Sequence, residues 1–221
     1  MEPHITRYAD AEVPTDYGPL RLIVYREEGS AVYEHVALVR GTLEGKSNVL
    51  VRVHSECFTG EVLHSLKCDC REQLEMALRV IGRIGEGAVL YLRQEGRGIG
   101  LGNKIRAYAL QQRGLDTVEA DRMLGFSEDS RSYHVAALML ADLGVRSVAL
   151  LTNNPQKVAA LRDDGVVVST RVPMRVNAND FNRGYLETKR VRMGHLIDIE
   201  QDEPALANEF DSWPPPPMPE E

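Results

Sequence analysis

The sequence predicts a mixed α/β fold in which antiparallel strands come first and alternating strand–helix units follow. Two observations carry this. Early in the chain, short runs alternate apolar and polar residues and are punctuated by turn residues, the period-two signature of half-buried strands. From about residue 69 onward, amphipathic helical stretches alternate with short apolar runs, the rhythm of a largely parallel sheet covered by helices. With 221 residues, 43% of them hydrophobic, the chain has enough apolar material for one core.

The elements follow in order. Residues 21–26 follow an Asp16-Tyr17-Gly18 turn, and 35–41 lead into 47–54; these three read as consecutive antiparallel strands. Residues 71–84 place Leu74, Met76, Ala77, Val80, Ile81 and Ile84 on one helical face, with Gly85 near the end. The run 88–93 reads as a buried strand, followed by a glycine-rich loop and a helix over 103–112. A helix over 130–143, a strand over 147–152, a helix over 155–163 and a strand over 166–172 continue the alternation. A last helix, 183–193, closes the folded part, so residues 1–199 form a single catalytic domain.

The net charge of −7 is unevenly distributed. From Asp198 to Glu221 there are eight of the 33 acidic residues and none of the 26 basic ones, which leaves 25 acids against 26 bases and a nearly neutral body. That excludes a general nucleic-acid binder and permits a local basic cluster for one anionic small molecule. Six of the 11 prolines lie in the same stretch, and residues 200–221 are expected to form an acidic, disordered tail. The sequence has no membrane-length apolar run and no signal-peptide h-region, which points to a cytoplasmic protein without membrane partners.

Cys57, Cys68 and Cys70, all three cysteines of the chain, fall within fourteen residues. An odd number of clustered thiols suggests metal or redox chemistry, against the plainer reading of small buried hydrophobes. Three thiolates suit an open catalytic zinc site, whereas a fourth ligand from His54 or His64 makes a closed structural one. The loop 93–102 joins a strand to a helix, and Arg93, Arg97, Lys104 and Arg106 surround it, so it reads as a phosphate cradle rather than a plain turn. It is neither a Walker loop nor a dinucleotide fingerprint. Asp129 and Arg131 read on their own as an acidic first turn and a solvated arginine. Thr152 and Lys157 flank the end of a strand, the usual ligand position of an open α/β sheet.

In order, RVHSEC (52–57), CDC (68–70), QEGRGIGL (94–101), NKIRAYAL (103–110), LLTNNPQK (150–157) and YLETKRVRMGH (185–195) closely resemble the GTP cyclohydrolase II family, stand-alone form, over roughly residues 5–197. The resemblance implies zinc on Cys57, Cys68 and Cys70, one ion per chain. It implies a GTP site lined by Arg52, Val53, His54, Ser55, Glu56, Gln73, Glu95, Gly96, Arg97, Thr117, Thr152 and Lys157. Asp129 is then the proton acceptor, Arg131 the proposed nucleophile at the α-phosphate, and Tyr108 a residue required for chemistry at the base. Magnesium with the triphosphate and a homodimer are further implications.

The reaction so implied opens the imidazole ring of GTP and releases formate and pyrophosphate. Its product is 2,5-diamino-6-ribosylamino-4(3H)-pyrimidinone 5′-phosphate, the first intermediate of riboflavin biosynthesis. A relative that stops at the formamide, and a nucleotide-sensing module with structural zinc, are the alternatives. The sequence before Arg52 is short, and the dihydroxybutanone-phosphate synthase fused to some relatives is expected to be absent.

Overall fold

The computed structural model describes residues 4–27, 34–115, 117–126, 129–174 and 178–197, without the side chains of 117, 118 and 121. Seven strands form one sheet: β1 (Ile5–Val13), β2 (Leu20–Glu27), β3 (Glu34–Arg40), β4 (Val49–Ser55), β5 (Gly87–Leu92), β6 (Val148–Leu151) and β7 (Val168–Val172). Their order across the sheet is β1-β2-β3-β5-β4-β6-β7. The helices are α1 (Phe58–Glu61), α2 (Cys70–Ile84), α3 (Gly100–Gln111), α4 (Thr117–Met123), α5 (His134–Asp142), α6 (Pro155–Asp163) and α7 (Arg183–Met193). Among the described residues no helix is long and apolar enough to cross a membrane.

The predicted class holds, with one correction of topology. Strands β1, β2, β3 and β5 pair antiparallel, whereas β4 pairs parallel with β5 on one side and with β6 on the other. The run 47–54 therefore does not extend an antiparallel meander, because β5 sits between it and β3. The physical reason is visible in β4, which is buried at six of its seven positions. Burial on both faces belongs to the parallel, helix-covered part of a sheet, and a parallel neighbour requires a crossover, which α2 supplies. Strand β1 is absent from the sequence-based reading: only its two ends are even partly buried, and the alternation Ala9-Asp10-Ala11-Glu12-Val13 is carried mostly by small alanines, a weak signal.

Alternation along β4 decides where the site lies. Val49, Val51 and Val53 enter the core beneath α5 and α6, with Leu90, Met139, Leu150 and Leu161. Leu50 packs on the other face with Ala77, Ile81 and Val89 under α2. By the same period of two, Arg52 and His54 fall on the α2 face at the carboxyl end of the strand. Because β5, β4 and β6 are parallel, their carboxyl ends at Leu92, Ser55 and Leu151 lie side by side, the usual ligand edge of such a sheet.

Candidate active site

At that edge lies a cavity of about 260 Å³, reached from α2, α3, α7 and three strand-to-helix loops. Its lining holds twelve of the predicted residues besides the thiols: Arg52, His54, Ser55, Glu56, Gln73, Glu95, Gly96, Arg97, Tyr108, Arg131, Thr152 and Lys157. Asp129 is bonded to the lining through Arg131. The Val53 side chain is in the core, and this residue contributes its carbonyl, which accepts from Lys157 Nζ at 2.7 Å. Thr117 opens α4, and its side chain is outside the described residues.

The sulfur atoms of Cys57, Cys68 and Cys70 lie within 4.8 Å of one another. Cys57 Sγ is 3.7 Å from Cys68 Sγ, close to the about 3.8 Å edge of a zinc tetrahedron with 2.3 Å Zn–S bonds. Gly60 keeps the cluster open, since a Cβ there would stand 2.9 Å from Cys68 Sγ and 3.2 Å from Cys57 Sγ. Hydrogen bonds from Cys68 and Cys70, helped by the Lys104 ammonium 3.1 Å away, draw the Cys57 thiol well below its ordinary pKa. The donor set therefore fits a soft divalent metal.

Neither histidine joins the thiols. His54 Nε2 pairs with Glu61 Oε1 at 2.7 Å, and its ring stacks on Tyr91, whose hydroxyl donates to Glu61 Oε2 at 2.5 Å. His64 is exposed, with its Nδ1 3.4 Å from Arg71 Nη1. Among the described residues the cluster therefore has three ligands.

The glycine-rich loop folds as a 3-10 turn in which Gly96 and Arg97 both take left-handed φ, at 62° and 60°. Such a φ is rare for arginine and persists only where surroundings enforce it. Here Glu95 anchors the turn, accepting from Phe58 N at 2.5 Å, Gly96 N at 2.7 Å and Lys104 Nζ at 2.9 Å. Ser130 N then donates to Arg97 O at 3.1 Å, which docks the segment 129–131 onto the loop. This explains why α5 begins at His134 rather than near 130: the preceding residues serve this contact.

Arg131 grips Asp129 through two nitrogens, Nε to Oδ1 at 2.8 Å and Nη2 to Oδ2 at 2.5 Å. Burial opposes the charge on Asp129, but Arg131 outweighs it and holds the carboxyl below its usual range. Burial, with the positive charges of Arg52, Arg131 and Lys189, lowers the Lys157 pKa well below its ordinary value. Arg52 is pushed down to about 10, chiefly by burial. An anion entering the cavity relieves that crowding of like charges.

Thr152 has the structural role open to it, its Oγ1 accepting from Asn154 N at 3.0 Å, and it also lines the cavity. Asn154 caps α6 by accepting from Gln156 N, with Pro155 in the first turn. Tyr108 stands with Lys67 Nζ 4.9 Å and Lys104 Nζ 5.9 Å from its ring centroid, and burial pushes its hydroxyl up to about 12.

Sequence reasoning passed over several lining residues, chiefly Tyr185, Lys189 and His195 from α7 and its exit. The segment 185–195 was legible as a motif, yet nothing in it assigns a ligand. Burial, with the charges of Lys189, Arg131 and Arg97, depresses His195 to about 3, so it is neutral.

Residues 6–173 match the family described as GTP cyclohydrolase II. The chain belongs to that family. It is 49% identical over 199 residues to the GTP cyclohydrolase-2 of Histophilus somni (strain 2336), covering 90% of this chain and 92% of that protein. It is 51% identical over 193 residues to the GTP cyclohydrolase-2 of Actinobacillus succinogenes, covering 87% and 88%. The riboflavin biosynthesis protein RibBA of Endomicrobium trichonymphae is 46% identical over 196 residues, 89% of this chain, which spans only 48% of that relative's length. Helix α7 lies beyond the matched stretch.

Proposed function

We propose that this chain is a zinc-dependent GTP cyclohydrolase II, opening the imidazole ring of GTP and releasing formate and pyrophosphate to give the diaminopyrimidinone ribosyl phosphate of riboflavin biosynthesis. One observation carries the reading: a single cavity brings together three thiols in zinc-like geometry and the cations Arg52, Arg97, Arg131 and Lys157. A base and a triphosphate demand those two chemistries at opposite ends. Cys57, Cys68 and Cys70 are the residues that would hold zinc, whose Lewis acidity makes water nucleophilic near neutral pH.

The chain's own groups divide the work. Arg52, Arg97 and Lys157 neutralise the phosphates, a task in which charge and position are almost the whole of the catalysis. Nη1 of Arg131 is the nitrogen that Asp129 does not engage, which leaves it for the α-phosphate, with Asp129 as the base beside it. Tyr108, with its pKa raised to about 12, stays protonated near neutral pH and donates a hydrogen bond or proton at the base. His54 Nδ1 and His195 Nε2 are buried without a hydrogen bond in the protein, and each suits a polar group of the nucleotide. Magnesium on the triphosphate, a homodimer and a cytoplasmic location belong to the same reading.

The test is to incubate zinc-loaded protein with GTP and magnesium and to identify the products by mass. Formate, pyrophosphate and the pyrimidinone confirm the reading; a formamide product or unchanged GTP overturns it. Tyr108→Phe is expected to release pyrophosphate while formate falls by about 10²-fold, the cost of a lost proton donor. Both products are assayed separately, and formate release at the wild-type rate refutes the role given to the hydroxyl.

A further inference from the structure

Asp69 stands between two of the three cysteines and is only 2% exposed. It occupies the N-cap position of α2, yet its side chain makes no cap hydrogen bond. Its carboxylate turns elsewhere. Oδ1 accepts from Lys189 Nζ at 2.8 Å, and Oδ2 accepts from Gln73 Nε2 at 2.5 Å. Gln73 is fixed in turn, because its Oε1 accepts from Arg52 Nη2, and Arg52 Nη1 donates to Leu151 O at 3.0 Å. Donors and acceptors alternate along this chain without conflict, which admits one orientation of the Gln73 amide.

Lys189 comes from the far end of the sequence, on the buried stripe of α7 that also carries Leu186 and Met193. It lines the cavity, but its ammonium is paired with a carboxylate, whereas Lys157 Nζ donates to a neutral carbonyl, Val53 O. The helix is tied down after its last turn as well, since Leu196 N donates to Asn153 O at 2.9 Å in the loop between β6 and α6. A buried carboxylate without a counter-charge is strongly unfavourable, and it is relieved by taking up a proton or by a swing of its backbone toward water. At Asp69 that swing moves both flanking thiols.

We propose that Lys189 is a positioning residue: by pairing with Asp69 it holds the Cys68–Cys70 turn in the geometry that binds the metal. The inference rests on the metal reading of the thiol cluster given above. Partners behind metal ligands are commonly worth about 10–100-fold in metal affinity.

The experiment measures zinc per chain, zinc affinity against a chromophoric chelator, and the visible spectrum of the cobalt(II)-substituted full-length protein. It compares the wild type with Lys189→Met and with Leu186→Ala, which loosens α7 but leaves the ion pair. Lys189→Met is expected to bind zinc about 10–100-fold more weakly and to shift the cobalt bands, while Leu186→Ala keeps wild-type values. Equal zinc loss in both variants, or wild-type affinity in folded Lys189→Met, overturns the proposal. So does a Lys189→Met protein with normal zinc but a raised KM for GTP, which makes Lys189 a substrate ligand. If Lys189→Met fails to fold, Lys189→Gln decides: weakened zinc supports the proposal and wild-type zinc overturns it. A wild-type protein that binds no zinc defeats the metal reading itself and this inference with it.

Discussion

Cys68→Ser is expected to leave a folded protein that retains no zinc and releases formate on the order of 10³-fold more slowly than the wild type. The cluster has only three ligand residues among those described, so losing one thiolate leaves two, too few for a tight site. A metal's charge stabilisation is worth several kcal/mol, and each 1.4 kcal/mol is about tenfold in rate. The fold itself should survive, because the cysteines sit at the cavity edge rather than in either hydrophobic cluster. Elemental analysis, circular dichroism and formate release are measured on the same preparation. Metal-free protein with wild-type turnover would end the zinc-dependent reading.

Arg131→Lys is expected to slow pyrophosphate release by about 10²-fold or more, although it conserves the charge. A lysine offers a point charge and cannot bridge both oxygens of Asp129 while leaving a third nitrogen for substrate. The segment 129–131 also docks on Arg97 O through a backbone amide that the substitution leaves alone, so the loop should keep its place. Pyrophosphate is followed with a coupled assay at saturating GTP, and zinc content is checked alongside. An unchanged rate would show that positive charge alone suffices at this position.

Much of this was legible in the sequence because the relevant groups sit in short, dense segments. RVHSEC lies at the end of one strand, LLTNNPQK at the end of another, and CDC at the head of a helix. Sheet adjacency was less legible: β4 follows β3 in the chain, yet β5 lies between them, and the alternation Val51-Arg52-Val53-His54 reads as a half-buried strand although all four residues are buried. Burial on both faces and on one face give similar apolar runs when the strand is short.

Asp129 and Arg131, read alone, suggested an acidic first turn and a solvated arginine. The structure instead holds a half-buried Arg131 against Asp129 ahead of α5. The role of α7 was hidden for another reason. Lys189 meets its partner 120 residues away, a pairing without a local sequence pattern.

The two ends of the cavity also differ in how much chain must be assembled to make them. Cys57 and Cys68 meet across 11 residues, whereas Lys157 reaches Val53 across 104 and Lys189 reaches Asp69 across 120. The entropy of loop closure grows with the logarithm of that span, so the longest of these closures costs about 2 kcal/mol more than the shortest. Long-range closures are also the slow ones in folding. During synthesis or refolding the Cys57–Cys68 contact can therefore form while β6 and α6 are still undocked, whereas Lys157 and the Asp69–Lys189 pair that completes the metal-binding turn arrive last. Stopped-flow refolding should register a thiol-centred signal before the protein regains its affinity for a triphosphate.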